Sequence, residues 1–119
     1  MPWTTVQVEK LDNFFIMSDS SGDRTLTYRE ALHEALDQSL ARDPKVFIMG
    51  EGVDDVAGVF GTTKGLKEKY GANRVFDTPI SENSLTGIAA GAAMAGLRPV
   101  LIHARMDFLL LSLDQLANH

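Results

Sequence analysis

The apolar run KVFIM at 45–49 limits the possible folds more than any other stretch, because it is short, unbroken and closed by Gly50. A run without polar alternation is typical of a strand buried on both faces, as in a parallel sheet covered by helices. Further short strands are predicted at 74–76 and 99–102, with helical patterns between them. Strands that alternate with helices pair in parallel through right-handed crossovers. The sequence therefore predicts an α/β fold, a mostly parallel sheet flanked by helices.

The first helix has the clearest signals of the predicted helices. In TYREALHEALDQSLARD, which begins at Thr27, apolar residues recur at the spacing of one helical face. Thr27 and Glu30 form a capping-box pattern, in which the hydroxyl and the carboxylate each bind a free backbone N–H. Further helices are predicted at 62–70, 82–96 and 108–118.

The polar cluster DSSGD at 19–23 divides the chain into an N-terminal arm, residues 1–23, and a folded part, residues 24–119. Only three strands are predicted, and the last helix is still running near the end of the sequence. Three strands make a small sheet with an edge that proteins usually pair or cover. We therefore expect a partial domain that further chain would complete.

Composition argues against several classes of function. The 16 acidic residues outnumber the 11 Lys and Arg, the net charge is -5 and no basic cluster is present, so nucleic acid is not expected as a partner. No apolar run approaches the roughly 20 residues of a membrane span. Cysteine is absent and the three His are scattered, so no metal site is expected. The N-terminus lacks the features of a targeting peptide, which predicts a cytoplasmic location.

The segment FDTPISENSLTGIAAGAAMAG at 76–96 places a single acid, Glu82, at the start of a helix of small residues. The helix dipole stabilises an acid there by about 0.3 to 1 kcal/mol, which explains Glu82 without any chemistry. The alternative is a catalytic acid. Gly87, Gly91 and Ala95 lie four residues apart on one face, which suits close packing on the sheet or a close interface with another chain. The residues alone leave both alternatives open.

Five motifs, in matching order and spacing, resemble the beta subunit of the thiamine diphosphate-dependent, decarboxylating component of 2-oxoacid (pyruvate or branched-chain) dehydrogenase complexes. They are LTYREAL, KVFIMGEGV, GVFGTTKGLKEKYGANRVFDTPISE, GIAAGAAMAGLRPV and MDFLLLSLDQLAN. The resemblance covers nearly all of the chain after the arm. It implies the first part of a transketolase-like pyrimidine-binding domain, in an enzyme that decarboxylates a 2-oxoacid and passes the acyl group to a lipoyl arm.

The resemblance also implies a role for Glu82. In the family this glutamate hydrogen-bonds a ring nitrogen of the cofactor's pyrimidine and favours the imino tautomer, which then takes the proton from the thiazolium carbon. Such a role needs an acid in an apolar, water-poor site with the cofactor nitrogen as its partner. We expect Ile80, Leu85 and Ile88 to supply those apolar surroundings, with Ile80 close enough to contact the cofactor.

Two further residues match family positions at the cofactor. Phe108 matches the aromatic residue that stacks on the aminopyrimidine, an interaction worth on the order of 1 kcal/mol beyond buried area. Its alternative is a core Phe at the head of a helix. Glu51 matches an acid near the acidic tunnel between paired active sites, and its alternative is a loop carboxylate that faces solvent.

The chain also departs from the family. Ile102 stands where the family usually has a carboxylate, and the following His103 either replaces that group or is a structural residue. The Asp114–Gln115 pair matches a family pair to which we assign helix packing. The family holds the diphosphate and its magnesium on an alpha subunit, and the signature of that domain is absent, since Gly22-Asp23-Arg24 lacks its second glycine.

Three functional hypotheses follow. The first is a catalytic half-site that binds the pyrimidine part of thiamine diphosphate, requires an alpha-type partner and is inactive alone. The second is a non-catalytic fragment that self-associates as a dimer through the small-residue helix. Its alternative is a monomer in which Trp3, Phe14 and Phe15 of the arm cover the exposed apolar surface. The third is a related thiamine enzyme such as a transketolase, which the DTPISE context disfavours. The sequence does not identify the 2-oxoacid.

Overall fold

The computed structural model describes residues 25–118 and contains one small sheet with helices around it. The predicted arm, residues 1–23, lies outside the described residues, so its boundary and its apolar residues stay predictions. No helix within 25–118 is long and apolar enough to cross a membrane.

Three parallel strands form the sheet: β1 (Val46–Gly50), β2 (Val75–Asp77) and β3 (Arg98–Ile102). Their order is β2-β1-β3, with Ile48 paired to both Val75 and Val100. Five α-helices connect and flank them: α1 (Tyr28–Arg42), α2 (Gly58–Gly61), α3 (Leu66–Tyr70), α4 (Glu82–Met94) and α5 (Leu113–Ala117). A 3-10 helix at Met106–Ser112 precedes α5. The predicted α/β fold with a parallel sheet is confirmed.

The central strand β1 carries the core, as its unbroken apolar run predicts. Val46, Ile48 and Met49 are buried, and Ile48 packs in a cluster with Leu40 of α1, Leu66 of α3 and Val75 of β2. A strand with a neighbour on each side and helices over its faces buries most of its side chains, and within β1 only Phe47 is partly exposed. The apolar run therefore fixes β1 as the middle of the sheet.

The capping box of α1 forms as predicted. The Thr27 hydroxyl accepts a hydrogen bond from the Glu30 backbone N–H, and the Glu30 carboxylate accepts one from the Thr27 backbone N–H at 2.8 Å. These bonds satisfy donors that the first turn of a helix leaves free. Local sequence signals are thus sufficient to place this helix start.

Gly50 ends β1 at a point where the backbone of β3 comes very close. A Cβ atom at this position would lie 2.2 Å from the Ile102 carbonyl oxygen, and the φ angle of 150° is one that other residues rarely adopt. Only glycine allows β1 and β3 to stay paired up to their carboxyl ends.

The helices after β1 and after β3 differ from their predicted forms. The helix predicted at 62–70 is shorter, since α3 begins at Leu66, and the single turn α2 precedes it with positive φ at Val59 and Phe60. The helix predicted at 108–118 is a 3-10 helix followed by the short α5. Contacts with other elements determine the conformation of these segments, and apolar periodicity alone does not distinguish a 3-10 helix from an α-helix.

Arg74 links three elements through backbone carbonyls. Its Nη2 donates to the carbonyls of Leu40 at 3.0 Å and Asp43 at 2.8 Å, and its Nε donates to Val46 at 2.5 Å. In a continuing α-helix the Leu40 carbonyl would accept a hydrogen bond from the N–H of the residue four positions later. That residue is Pro44, which has no N–H. Arg74 therefore supplies the donor that the end of α1 lacks.

Asp37 joins α1 to α3. Its carboxylate accepts hydrogen bonds from the Lys69 ammonium at 2.6 and 2.8 Å and from the Tyr70 hydroxyl at 2.9 Å. The bond with Lys69 lowers the pKa of Asp37 below its ordinary value, and Tyr70 adds to this effect, although partial burial opposes it. A carboxyl with a lowered folded-state pKa stabilises the fold above its unfolded pKa, and this contribution is lost as pH falls through the folded value.

We therefore expect Asp37→Asn to lower the melting temperature at pH 7 and to have progressively less effect as pH falls from about 4 through the lowered pKa of folded Asp37. Thermal unfolding followed by circular dichroism between pH 2.5 and 7 measures this difference. Asp107→Asn is the control, because Asp107 pairs with Arg105 on the exposed surface and both belong to one short segment. An effect of Asp37→Asn that stays constant over this pH range would contradict the assignment.

Candidate functional site

The carboxyl ends of the three strands meet at one edge of the sheet, which we call the carboxyl edge. β2 is the edge strand on one side of β1, and β3 is the edge strand on the other side. The connection from β2 to β3 therefore crosses over β1. In open α/β sheets, ligands bind outside the carboxyl ends of strands where the strand order reverses, here between β1 and β3. Glu51 follows β1, Thr78 follows β2 and His103 follows β3 at this edge.

Two buried oxygens at the carboxyl edge have no hydrogen-bond partner within residues 25–118: Glu51 Oε1 and Thr78 Oγ1. They belong to the residues that follow Gly50 and Asp77, which are paired in the register of β1 and β2. An unsatisfied buried polar group costs about 1 to 3 kcal/mol, so such groups commonly mark places where water or a ligand binds. The Oε1 atom of Glu51 therefore does not face solvent, and the binding role of Glu51 stays a prediction.

Sequence reasoning did not single out Thr78. Its signal was its position directly after a predicted strand, inside the DTPISE motif. A hydroxyl at a strand end becomes a candidate only when its burial and its lack of a partner are known.

Glu82 begins α4 and is buried, with a relative exposure of 8%. Its backbone carbonyl accepts hydrogen bonds from the hydroxyls of Thr86 at 2.8 Å and Ser112 at 3.1 Å. The Ser112 bond fastens the end of the 3-10 helix to the first turn of α4. No group in the described part of the chain donates a hydrogen bond to the Glu82 carboxylate, which is therefore available to a ligand with a donor.

The apolar surroundings expected for Glu82 are only partly present. Leu85 is buried at 7% exposure, but Ile80 is 80% exposed and Ile88 is 57% exposed. Leu85 and Thr86 lie three and four residues after Glu82 and share its helical face, whereas Ile88 lies six residues on and points elsewhere. Ile80 precedes α4 in the connecting loop. The expectation that Ile80 and Ile88 bury Glu82 within this chain is wrong.

Phe108 lies in the 3-10 helix that Ser112 fastens to Glu82, and it is half-buried. The Arg105 guanidinium carbon lies 5.5 Å from the centre of the Phe108 ring, within range of a cation–π contact. Asp107 holds that guanidinium through hydrogen bonds at 2.7 and 3.1 Å. The fold brings Phe108 and Glu82 onto adjoining elements, as a shared site requires.

His103 and Ile102 contribute to two cavities. His103 borders a cavity of about 310 Å³ on the side of α4 and the 3-10 helix, together with Thr86 and Leu109. It also borders a cavity of about 330 Å³ on the side of α1, which Ile102 lines too. His103 is half-buried and borders both cavities, but neither lining includes Glu51, Thr78, Glu82 or Phe108.

The small residues of α4 have different surroundings. A Cβ at Gly87 would lie 2.9 Å from the side-chain oxygen of Gln115 in α5, whereas Gly91 has open space around it. Ala95 lies just beyond the last residue of α4. Gly87 thus serves helix packing with Gln115, which agrees with the packing role assigned to the Asp114–Gln115 pair, and only Gly91 and Ala95 remain free for an interface.

No group of three or more His, Cys, Asp and Glu residues within 25–118 could hold a metal ion. The residues considered for the candidate site are the acids Glu51 and Glu82, the Thr78 hydroxyl, the Phe108 ring and the His103 imidazole. Glu51 and Glu82 lie on different elements, and no hydrogen bond among the described residues connects them.

Comparison with known proteins identifies a family match over the whole described part of the chain. The family described as "Transketolase, pyrimidine binding domain" matches residues 24–118. The pyruvate dehydrogenase E1 component subunit beta of Chaetosphaeridium globosum is 54% identical over 90 residues, which are 76% of this chain and 28% of the relative. The mitochondrial subunit beta of Dictyostelium discoideum is 44% identical over 113 residues, 95% of this chain and 32% of the relative. The chain thus spans about a third or less of the length of these relatives.

Proposed function

Because the chain belongs to the transketolase pyrimidine-binding domain family, we propose that it forms the pyrimidine-binding half-site of a thiamine diphosphate-dependent 2-oxoacid dehydrogenase. The observation that carries this proposal is Glu82, a buried acid at the start of a helix whose carboxylate has no partner among the described residues. The names of the relatives, subunits beta of a pyruvate dehydrogenase component, support the reaction class.

The residues of the candidate site fit the aminopyrimidine part of the cofactor. Glu82 would hold a proton at a ring nitrogen, Phe108 would stack on the ring, and the free Oε1 of Glu51 would accept a hydrogen bond at the same edge. Ile80 is exposed and would pack on the ring from the loop before α4. When bound, thiamine diphosphate supplies the carbon nucleophile that attacks a 2-oxoacid. The contribution of this chain is to orient the ring and to hold the proton at the pyrimidine nitrogen.

The proposal assigns the diphosphate and its magnesium to an alpha-type partner subunit. The complete enzyme would decarboxylate a 2-oxoacid and transfer the acyl group to a lipoyl group. Titration of the chain with thiamine diphosphate and magnesium, with and without an alpha subunit, tests this assignment. We expect tight binding and decarboxylation only with the partner. Decarboxylation by the pure chain, or no gain in cofactor binding with a partner that binds the chain, would overturn the proposal.

The second candidate function is self-association without catalysis, favoured by exposed apolar side chains on α4 and the helices after it. Ile88, Leu110, Leu113 and Leu116 are each more than half exposed. Exposed apolar patches commonly mark interfaces, and a two-fold dimer is the commonest way for one chain type to cover them. We expect sedimentation of the isolated chain to give twice its 13.0 kDa mass. A single species at the monomer mass would contradict the dimer.

The expected cytoplasmic location and the absence of nucleic-acid and membrane partners stay predictions. Among the relatives, the subunit of Dictyostelium discoideum is named as mitochondrial. Imaging of the full-length protein fused to a fluorescent protein at its C-terminus would test the location, and an organellar signal would contradict it.

A further inference from the structure

Glu51 and Thr78 occupy equivalent positions just past the ends of two neighbouring strands. Gly50 pairs with Asp77 in the parallel register of β1 and β2, and Glu51 and Thr78 are the residues that follow this pair. Neighbouring strands in a sheet lie about 5 Å apart, and side chains in equivalent positions lie on the same face. This alternation, continued one residue past the strands, puts both side chains on one face of the carboxyl edge.

Contacts in the loop after β1 hold Glu51 beside the end of β2. The backbone N–H of Gly52 donates a hydrogen bond to the Asp77 carboxylate at 2.6 Å. The next residue, Val53, is buried in the core, and its carbonyl accepts a hydrogen bond from the Thr63 hydroxyl at 2.7 Å. The loop therefore cannot carry Glu51 away from the end of β2 without breaking these bonds.

Both side chains have a buried oxygen that lacks a hydrogen-bond partner among residues 25–118. These atoms, Glu51 Oε1 and Thr78 Oγ1, are the two buried side-chain polar atoms in this condition within that range. His103, which follows β3 on the other side of β1, makes no hydrogen bond to Glu51 Oε1 either. A buried polar atom without a partner lowers stability. One group that bonds to both oxygens would remove both penalties.

We propose that one buried water molecule bridges Thr78 and Glu51 and holds the Glu51 carboxylate in place. The water accepts a hydrogen bond from the Thr78 hydroxyl and donates one to Glu51 Oε1. A carboxylate oxygen has two lone pairs, so Oε1 can still accept a bond from a ligand. Thr78 is then a positioning residue for Glu51. The inference goes beyond the proposed function, because the bridge is expected in the chain without cofactor or partner subunit.

The stability of Thr78→Val in two backgrounds tests the bridge. In the chain with Glu51, we expect the substitution to raise the unfolding equilibrium constant about fivefold or more, because the carboxylate oxygen loses its partner. In the chain with Glu51→Met, the same substitution should change this constant by less than about twofold, since no carboxylate remains for the water to bind. Urea unfolding of the full chain, with the two single variants and the double variant, measures both effects.

Two control variants separate the hydroxyl from other effects of the exchange. Thr78→Ser keeps the hydroxyl and should be more stable than Thr78→Val, although it lacks the methyl group. Thr25→Val makes the same exchange at an exposed position and should leave stability nearly unchanged. Two-dimensional NMR of the wild-type chain gives a second readout, a cross-peak between the Thr78 methyl protons and a long-lived water. This signal decides the question if Thr78→Val does not fold.

The proposal is overturned if Thr78→Val stabilises the chain or leaves its stability unchanged, as expected when an unsatisfied hydroxyl is simply removed. It is also overturned if the substitution has the same effect in both backgrounds, or if the wild type shows no water signal at Thr78. None of these measurements uses thiamine diphosphate or an alpha subunit. The water bridge and the proposed function can therefore fail separately.

Discussion

Glu82→Gln is expected to reduce the turnover of an enzyme reconstituted with an alpha-type subunit by about 100-fold or more. A loss of this size is typical when a group that transfers a proton is removed. The amide has nearly the size of the carboxyl group but cannot hold and release the proton. The only hydrogen bonds to Glu82 in the described chain reach its backbone carbonyl, which the exchange leaves unchanged. The fold should therefore remain intact.

The measurement is kcat with a 2-oxoacid at saturating thiamine diphosphate, together with the melting temperature of the variant chain. Glu68→Gln makes the same chemical change at an exposed position in α3 and serves as the control, with expected turnover equal to that of the wild type. Turnover of the Glu82 variant within about threefold of the wild type, well below the loss expected for a proton-transfer group, would show that Glu82 is a helix-start charge without a catalytic role.

The parts of the fold that were predictable depend on local signals. The unbroken apolar run predicted β1 because its burial on both faces leaves no polar position, and Thr27 and Glu30 predicted the start of α1 because their bonds lie within one turn. The 3-10 form of Met106–Ser112 was not predictable in this way. Its end is fixed by the bond from Ser112 to the Glu82 carbonyl, between residues 30 positions apart.

In the candidate site, too, some features were predictable from local sequence and others depend on contacts between distant residues. Glu82 and Glu51 could be found from their motifs, whereas the orphan oxygen of Thr78 depends on burial that only the folded chain defines. Ile88 was misassigned to the surroundings of Glu82 because its apolar character was considered without its helical phase, which differs from that of Leu85.

Arg74→Met is expected to lower the free energy of unfolding by about 3 kcal/mol, since net hydrogen bonds from charged donors contribute about 1.5 to 3 kcal/mol and several carbonyls lose theirs together. The Leu40 carbonyl is affected most, because Pro44 cannot replace the lost donor. The Asp43 carbonyl keeps its bond from the Val46 N–H at 3.1 Å and is affected less. Met preserves much of the apolar stem of Arg74, so the change isolates the guanidinium.

Urea unfolding at pH 7, with the melting temperature as a second readout, measures the effect, and a loss of about 3 kcal/mol corresponds to a fall of about 10 °C or more. Arg98→Met is the matched control. Arg98 pairs with the Asp43 carboxylate at 3.0 Å beside the same end of α1, but its side chain is 69% exposed. Exposed ion pairs contribute less than about 1 kcal/mol, so the two arginines should differ by at least about 2 kcal/mol. Equal effects of the two substitutions would show that the positive charge near Asp43 stabilises the fold, and that the carbonyl bonds of Arg74 do not.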